Sequence, residues 1–236
     1  MGNISGSKKL KRQMAPLFWG LPRKQGRFVV TVRPGPHARD RAIPVAVLLR
    51  DMLGVVSTLR EAKSSIYAGK VKVDGVIRKS LHHGVGLMDV VELDGVDGAY
   101  RMVPSGGALL APVPAGEPTK KLVRVTSKTT IRGGRTQIGF HDGRSAIHDG
   151  GASVGDTCLI EVPGQKILDT VALEAGCLCL VTSGANAGQT GRVKSIEKGT
   201  FILPRRAVLE LEGREIEIPT GIIMPVGREG PLVGLA

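Results

Sequence analysis

Residues 57–79 read Ser57-Thr58-Leu59-Arg60-Glu61-Ala62-Lys63-Ser64-Ser65-Ile66-Tyr67-Ala68-Gly69-Lys70-Val71-Lys72-Val73-Asp74-Gly75-Val76-Ile77-Arg78-Lys79. Thr58 to Glu61 matches a capping box, in which a threonine hydroxyl and a glutamate carboxylate satisfy each other's orphan backbone N–H groups. Leu59, Ala62 and Ile66 then recur on one helical side, and Gly69 supplies the stop. Val71 and Val73 alternate with Lys70 and Lys72 before Asp74-Gly75 turns the chain into Val76 to Lys79. Asp-Gly between alternating segments predicts a hairpin, because the tight turn needs residues that accept positive φ.

Working toward the N-terminus, Pro44 suits a first helical turn, and Val45, Leu48, Leu49 and Met52 recur at spacings of three and four, opposite Arg50 and Asp51. Gly54 ends that segment. Two short helices followed by a Lys-rich β-hairpin form a small α+β unit that can present Arg50, Arg60, Lys63, Lys70, Lys72, Arg78 and Lys79 on one basic surface. Taken singly, each of these charges is what an amphipathic element shows to solvent anyway.

The charge ahead of this unit is less ordinary. The first 50 residues hold eleven bases (Lys8, Lys9, Lys11, Arg12, Arg23, Lys24, Arg27, Arg33, Arg39, Arg41, Arg50) against one acid, Asp40, for +10. The other 186 residues hold 22 bases against 20 acids, leaving +2 of the total +12. Such a polycation repels itself unless a polyanion neutralises it, and phosphate backbones do so with release of counterions. Residues 1–41 lack sustained periodicity and are broken by Pro16, Gly20, Pro22, Gly26, Pro34, Gly35 and Pro36, which predicts an irregular extended arm. Phe18, Trp19 and Phe28 are unusual for a merely solvated tail and point to an arm that docks or orders on a partner.

Beyond Met88 the chain reads as all β. Short alternating segments at 90–93, 100–103, 122–125, 157–162 and 167–173 are separated by turn signals, a density that suggests a small barrel. Residues 107–118, rich in Pro, Ala and Gly, read as a loop. A further unit begins near Gly176 with a strand to Val181, the glycine-rich loop 183–191 and a strand from Arg192 to Ile196. The glycine loop lacks the lysine of a phosphate-cradling P-loop and opens no helix, so a nucleotide-hydrolysing reading fails. A strand–loop–strand whose glycines take positive φ fits better, with Arg192 and Lys194 following.

Two His-Asp-Gly triplets, 141–143 and 148–150, read as turns flanking a short strand rather than as a metal site. Cys177 and Cys179 share a strand face and read as buried packing, and three cysteines in all are too few for a disulfide framework, so a reduced cytosolic protein is expected. No secretory signal and no membrane span is legible. Nucleophile elbows, histidine-based zinc motifs and helical acid pairs are absent from the sequence, which argues against an enzyme and leaves no cofactor, metal or small-molecule substrate to assign.

Lys9-Leu10-Lys11-Arg12 through Ala15-Pro16 and Trp19, Arg33-Pro34-Gly35-Pro36-His37, Ile43-Pro44 with Leu49-Arg50-Asp51-Met52-Leu53, and residues 69–78 resemble the S4e family of archaeal and eukaryotic small-subunit ribosomal proteins. Gly86-Leu87-Met88-Asp89-Val90 continues the likeness, and Gly184-Ala185-Asn186 with Gly188 and Gly191 resembles that family's KOW motif. The family's pattern departs at His82-His83-Gly84-Val85, where it usually has a proline. The resemblance spans nearly the whole chain. It implies a mostly β protein with a small α+β RNA-binding domain: an irregular basic N-terminal arm (1–41), an α-L or S4-like domain (42–98), a central β domain (99–172) and a C-terminal KOW SH3-like barrel with a short tail (173–236).

It further implies a non-enzymatic ribosomal RNA binder in the small ribosomal subunit, cytoplasmic and adjoining other small-subunit proteins. On that reading the arm (Lys8, Lys9, Lys11, Arg12, Arg23, Lys24, Arg27, Arg33, Arg39, Arg41) neutralises phosphates, while Trp19, Phe18 or His37 stacks on bases or sugars. The α-L surface grips folded RNA by shape, and the loop at Gly184, Asn186, Gly188 and Gly191 with Arg192 and Lys194 meets an RNA backbone. Two alternatives from other classes are an RNA-modifying enzyme of the pseudouridine-synthase kind, whose Arg-Leu-Asp setting does not occur in this sequence, and a KOW-bearing transcription factor.

Overall fold

The computed structural model describes residues 9–96, 98–106, 109–148, 150–201, 203–211 and 213–235. The capping box forms as written. The Thr58 hydroxyl accepts from the Glu61 N–H at 3.2 Å, and the Glu61 carboxylate accepts from the Ser57 and Thr58 N–H groups at 2.9 and 3.3 Å. These bonds hold Glu61 below the usual carboxylate range, where it also suits the positive end of the helix Leu59–Tyr67. Ala62 and Ile66 are buried, whereas Leu59 stays 40% exposed and drops out of the expected stripe. Gly69, at φ +81°, closes the helix.

The first helical segment differs from its expectation. Ile43–Pro44 is a short strand paired with Gly84–Val85. One α-helical turn, Val45–Val47, runs on into π-helical Leu48–Met52. Val45, Ala46, Val47, Leu48 and Leu49 are all at most 2% exposed, so this segment is covered on every side rather than along one face. The arm supplies the cover. Leu10, Ala15, Trp19, Leu21, Val32 and Ala42 share one core with Val45–Leu49, Ala62, Ile66, Val71 and Val73.

The arm is therefore not extended. Leu10–Lys11 pairs with Phe28–Val29, and single 3-10 turns at Arg12–Met14, Leu17–Trp19 and Arg39–Arg41 fold the rest back onto the S4-like unit. Its prolines and glycines break periodicity because the chain follows the surface of a core, and its aromatic and aliphatic residues are the anchors.

The hairpin turn at Asp74-Gly75 has positive φ at both residues, +52° and +73°, as a two-residue hairpin demands. The hairpin begins a five-stranded antiparallel sheet in the order Val76–Ile77, Val71–Val73, Val90–Leu93, Ala99–Ser105, Leu109–Ala115. This sheet runs across the expected boundary at 98/99. It also takes up most of the stretch read as a loop: Pro112 and Pro114, two apart on an outermost strand, can both direct their missing N–H toward the free edge.

A second sheet follows in the order Ser145–Ile147, Thr136–Phe140, Lys120–Thr130, Thr157–Glu161, Lys166–Val171, and a third in the order Arg214–Pro219, Arg206–Leu211, Thr190–Glu197, Leu178–Val181, Ile223–Gly227. Within Lys120–Thr130 the chain changes partner, pairing first with Thr157–Glu161 and from Val125 with Thr136–Phe140. Up to Val125 both faces of this strand are covered: Val123 belongs to the core of the second sheet, while Leu122 joins Met88, Val103, Leu159, Leu180, Met224 and Val226 in a core to which all three sheets contribute.

Candidate nucleic-acid interface and the buried charge cluster beneath it

Lys121 is the residue on which the units meet. Its side chain has no exposed surface, and its Nζ donates to Asp89 at 2.5 Å, Asp74 at 2.8 Å and Asp142 at 3.0 Å. Asp89 also takes His37 Nε2 at 2.9 and 3.0 Å and the Gly86 N–H at 2.9 Å. Asp74 takes Arg144 at 2.7 Å and the Val90 N–H at 3.0 Å. The cluster thus ties the arm (His37) to the S4-like sheet (Asp74, Asp89) and the central sheet (Lys121, Asp142, Arg144).

Burial opposes every charge in this cluster, so the partners decide each sign. For Lys121, the three carboxylates outweigh burial and hold it above the ordinary lysine range. For Asp89, Lys121 and His37 outweigh burial and hold it far below the carboxylate range. Asp74 goes the other way, because burial and the neighbouring Asp89 charge exceed what Lys121 returns. Next to the cluster, His141 Nδ1 accepts from the Arg124 N–H at 3.0 Å, so its Nε2 carries the proton and donates to the Leu87 carbonyl at 3.2 Å. Burial and the Lys121 charge push His141 down to about 4.

The bases expected to meet a polyanion separate by exposure. Lys9, Lys11, Lys24, Arg27, Arg33, Arg39, Arg41, Arg60, Lys63, Lys70, Lys72, Lys79, Arg192 and Lys194 are exposed; Arg23, Arg50 and Arg78 are half-buried; Lys8 lies outside the described residues. Lys72 projects outward between buried Val71 and Val73. Arg50 is paired with Asp51, and Lys194 with Glu215.

Three expected contacts are corrected. Trp19 is 1% exposed and donates its indole N–H to the Ala42 carbonyl at 2.9 Å, so it anchors the arm and offers no face to a base. His37 is buried against Asp89. Arg12 is buried and donates to the Pro22 carbonyl at 3.3 Å.

The Phe and Tyr side chains that stay exposed among the described residues are Phe28, Tyr67 and Phe201, and the first two carry cations. The Phe28 ring, 47% exposed, carries Arg27 at 5.3 Å and Lys9 at 5.8 Å, and Tyr67, 53% exposed, carries Lys63 at 5.6 Å. The Lys63–Tyr67 spacing of four on a helix was a legible signal for the second pair.

The glycine loop has a packing role at two of its positions. A side chain at Gly188 would place Cβ 2.6 Å from the Pro104 carbonyl oxygen, and one at buried Gly191 would place it 2.5 Å from the Glu210 carbonyl oxygen. Those two glycines admit close backbone approach within the protein. Gly184 is exposed at φ +93°, and Asn186 accepts from Arg214 at 3.3 Å. The triplet at 141–143 is a turn followed by the strand Ser145–Ile147, as expected, but Asp142 within it turns inward to Lys121. Asp149 of the second triplet lies outside the described residues. Cys177 and Cys179 Sγ atoms are buried, 3.5 Å apart.

A helix-on-sheet unit with a basic exterior, clasped by an arm whose apolar residues face in, defines a protein of the S4-domain class. The family models agree along the chain: the S4 domain matches residues 44–91, the RS4NT domain 5–40, and Ribosomal family S4e 96–167. The chain is 40% identical to small ribosomal subunit protein eS4 of Korarchaeum cryptofilum, covering 100% of both, and 38% identical to that of Ignicoccus hospitalis, covering 100% of this chain and 98% of that protein. It is also similar to the crystal structure of 30S ribosomal protein S4e from Thermoplasma acidophilum, with a TM-score of 0.70 and 28% identity over 80% of this chain and 97% of that one. This chain belongs to the S4e family of ribosomal proteins, a structural and non-enzymatic family, which leaves the RNA-modifying and transcription-factor alternatives without support.

Proposed function

We propose that this chain is a structural constituent of the small ribosomal subunit that binds and stabilises ribosomal RNA, with neighbouring small-subunit proteins as further partners, in the cytoplasm. The observation that carries the reading is the segregation within the arm. Leu10, Ala15, Trp19, Leu21 and Val32 are buried against the S4-like unit, while Lys9, Lys11, Lys24, Arg27, Arg33, Arg39 and Arg41 stay exposed. An arm already ordered on its own body presents its cations without the entropy cost of folding on the partner. Lys63, Lys70, Lys72 and Lys79 extend that surface over the helix and hairpin, and Phe28 and Tyr67 take the stacking role first assigned to Trp19, Phe18 or His37. On this reading the strands from Leu178 to Gly227 are the KOW barrel of the family, reached through the central β domain.

Crosslinking of purified small subunits, followed by mapping of RNA contacts, tests it. Crosslinks from the arm and the S4 helix and hairpin to ribosomal RNA support the reading. A chain that sediments away from small subunits in a sucrose gradient, or with RNA polymerase, overturns it.

A further inference from the structure

A cavity of about 320 Å³, roughly ten water volumes, opens where the arm, the S4 hairpin and the central sheet meet; Pro36, Asp74, Arg78, His83, Asp142 and Arg144 are among its walls. Three polar side-chain atoms of those walls, Arg78 Nε, His83 Nε2 and Arg144 Nη1, are buried with no hydrogen-bond partner among the described residues. The carboxylates do not face the same shortage. Each oxygen of Asp74, Asp89 and Asp142 already accepts from Lys121, Arg144, His37 or a backbone N–H. For the two guanidinium N–H groups, which can only donate, the cavity lacks acceptors.

The charges point the same way. Lys121 and Arg144 are each paired with aspartates, but no carboxylate pairs with Arg78 among the described residues. Burial, and after it the Arg78 charge, keeps His83 below its usual range, so His83 contributes a neutral ring. A guanidinium with a buried, unmatched N–H is costly unless a ligand supplies an oxygen, and a planar guanidinium suits an oxyanion presenting several oxygens.

We infer that this cavity is a binding site for one phosphate group, held by Arg78 and Arg144 with His83 beside them. Two sources share that chemistry: a backbone phosphodiester of RNA, which rests on the ribosomal reading above, and free inorganic phosphate, which does not. A phosphate seated there would touch S4 hairpin and central sheet together, and so report on their mutual position.

The test uses the full-length protein with inorganic phosphate as probe, ionic strength being held constant with chloride. The Arg78→Met variant removes the unpaired cation, and Arg132→Gln, at an exposed turn position outside the basic surface, is the control. Binding is followed by the arginine Nε–H resonances and by phosphate-dependent thermal stabilisation. The expected result is that phosphate shifts the Arg78 resonance of the unmutated protein, that R132Q behaves alike, and that R78M melts like the parent without phosphate but binds it at least about tenfold more weakly.

In the second arm an rRNA fragment replaces phosphate. A salt-dependence slope shallower by about 0.7 to 0.9 in R78M assigns the site to an RNA phosphate, and an unchanged slope assigns it to the free anion. If RNA fails to bind the unmutated protein while phosphate binds, the ribosomal reading falls and the site stands. If about 50 mM phosphate, enough to fill even a millimolar site, leaves the Arg78 resonance in place, or if R78M binds as tightly as the parent, the inference is wrong whatever RNA does.

Discussion

Replacing Lys121 by methionine keeps most of the side chain's length and removes its charge. In the native protein one ammonium group satisfies three carboxylates at 2.5, 2.8 and 3.0 Å, at a position with no exposed surface. Removing one partner of a buried ion pair typically costs about 3–5 kcal/mol, because the other charge stays buried without compensation. Three such groups place Lys121→Met at the upper end of that range, against a typical stability of about 5–15 kcal/mol for a whole domain. The penalty depends on pH in a calculable direction. With Lys121 present, Asp89 is held below its unfolded value, so its stabilising contribution is present above pH ~4 and is lost only as the pH falls through the lower folded value. Without Lys121, burial dominates and Asp89 and Asp74 gain protons on folding, so the variant recovers relative to the parent on acidification. Urea unfolding at pH 7 and at pH 4.5 measures both effects: a loss of about 4–5 kcal/mol at neutral pH should shrink by roughly half at the lower value. Adding Asp89→Asn to the variant should restore part of the loss at neutral pH. A neutral-pH loss below about 1 kcal/mol, or one that does not shrink with acid, refutes the claim that this cluster is a dry ionic lock.

Trp19 is the single tryptophan of the chain, so its fluorescence reports arm docking directly. Emission should be blue-shifted and shielded from acrylamide with no RNA present, and Trp19→Ala should cost about 3–5 kcal/mol; free quenching in the isolated protein would mean an undocked arm. His141, held near 4 in the fold against about 6.5 unfolded, binds its proton mainly in the unfolded state. Stability should therefore decline as the pH falls from about 6.5 to 4, by up to about 3 kcal/mol, and His141→Gln should flatten that part of the curve in pH-dependent denaturation. Gly191→Ala drives a Cβ into the Glu210 carbonyl, so it should lower stability by about 1–3 kcal/mol while leaving the affinity of the remaining folded protein for RNA unchanged; a loss of affinity without loss of stability would restore an RNA role to that glycine.

Local chemistry in the sequence carried the elements it could carry. Thr58 and Glu61 cap and Asp74-Gly75 turns because each depends on residues within a few positions, and Val90–Leu93 and Thr157–Glu161 are strands by their own local alternation although their partners lie far along the chain. Lys121 was illegible for the opposite reason. Its partners lie 21, 32 and 47 residues away, and a lysine next to Lys120 at the start of a strand looks like any solvent charge until the faces of that strand are both covered. The arm misled in the same way: Pro16, Gly20 and Pro22 do forbid regular structure, yet irregular backbone can still be tightly docked when Trp19 and Val32 reach a core built by residues further along. Charge and exposure at Lys72 or Arg27 were readable, but which aromatic rings stay outside was a question of packing, and among the described residues the answer was Phe28, Tyr67 and Phe201.

The central claim is that the exposed cations of a docked arm neutralise RNA phosphates. Its most direct measurement is the slope of log K against log salt for a small-subunit rRNA fragment, with the parent chain and with a variant carrying Gln at Lys24, Arg27, Arg33, Arg39 and Arg41. Each of the five that contacts a phosphate should take about 0.7 to 0.9 from the slope, so the variant should bind more weakly and with a markedly shallower salt dependence while keeping its fold. A variant with the parent's slope and affinity would contradict the account.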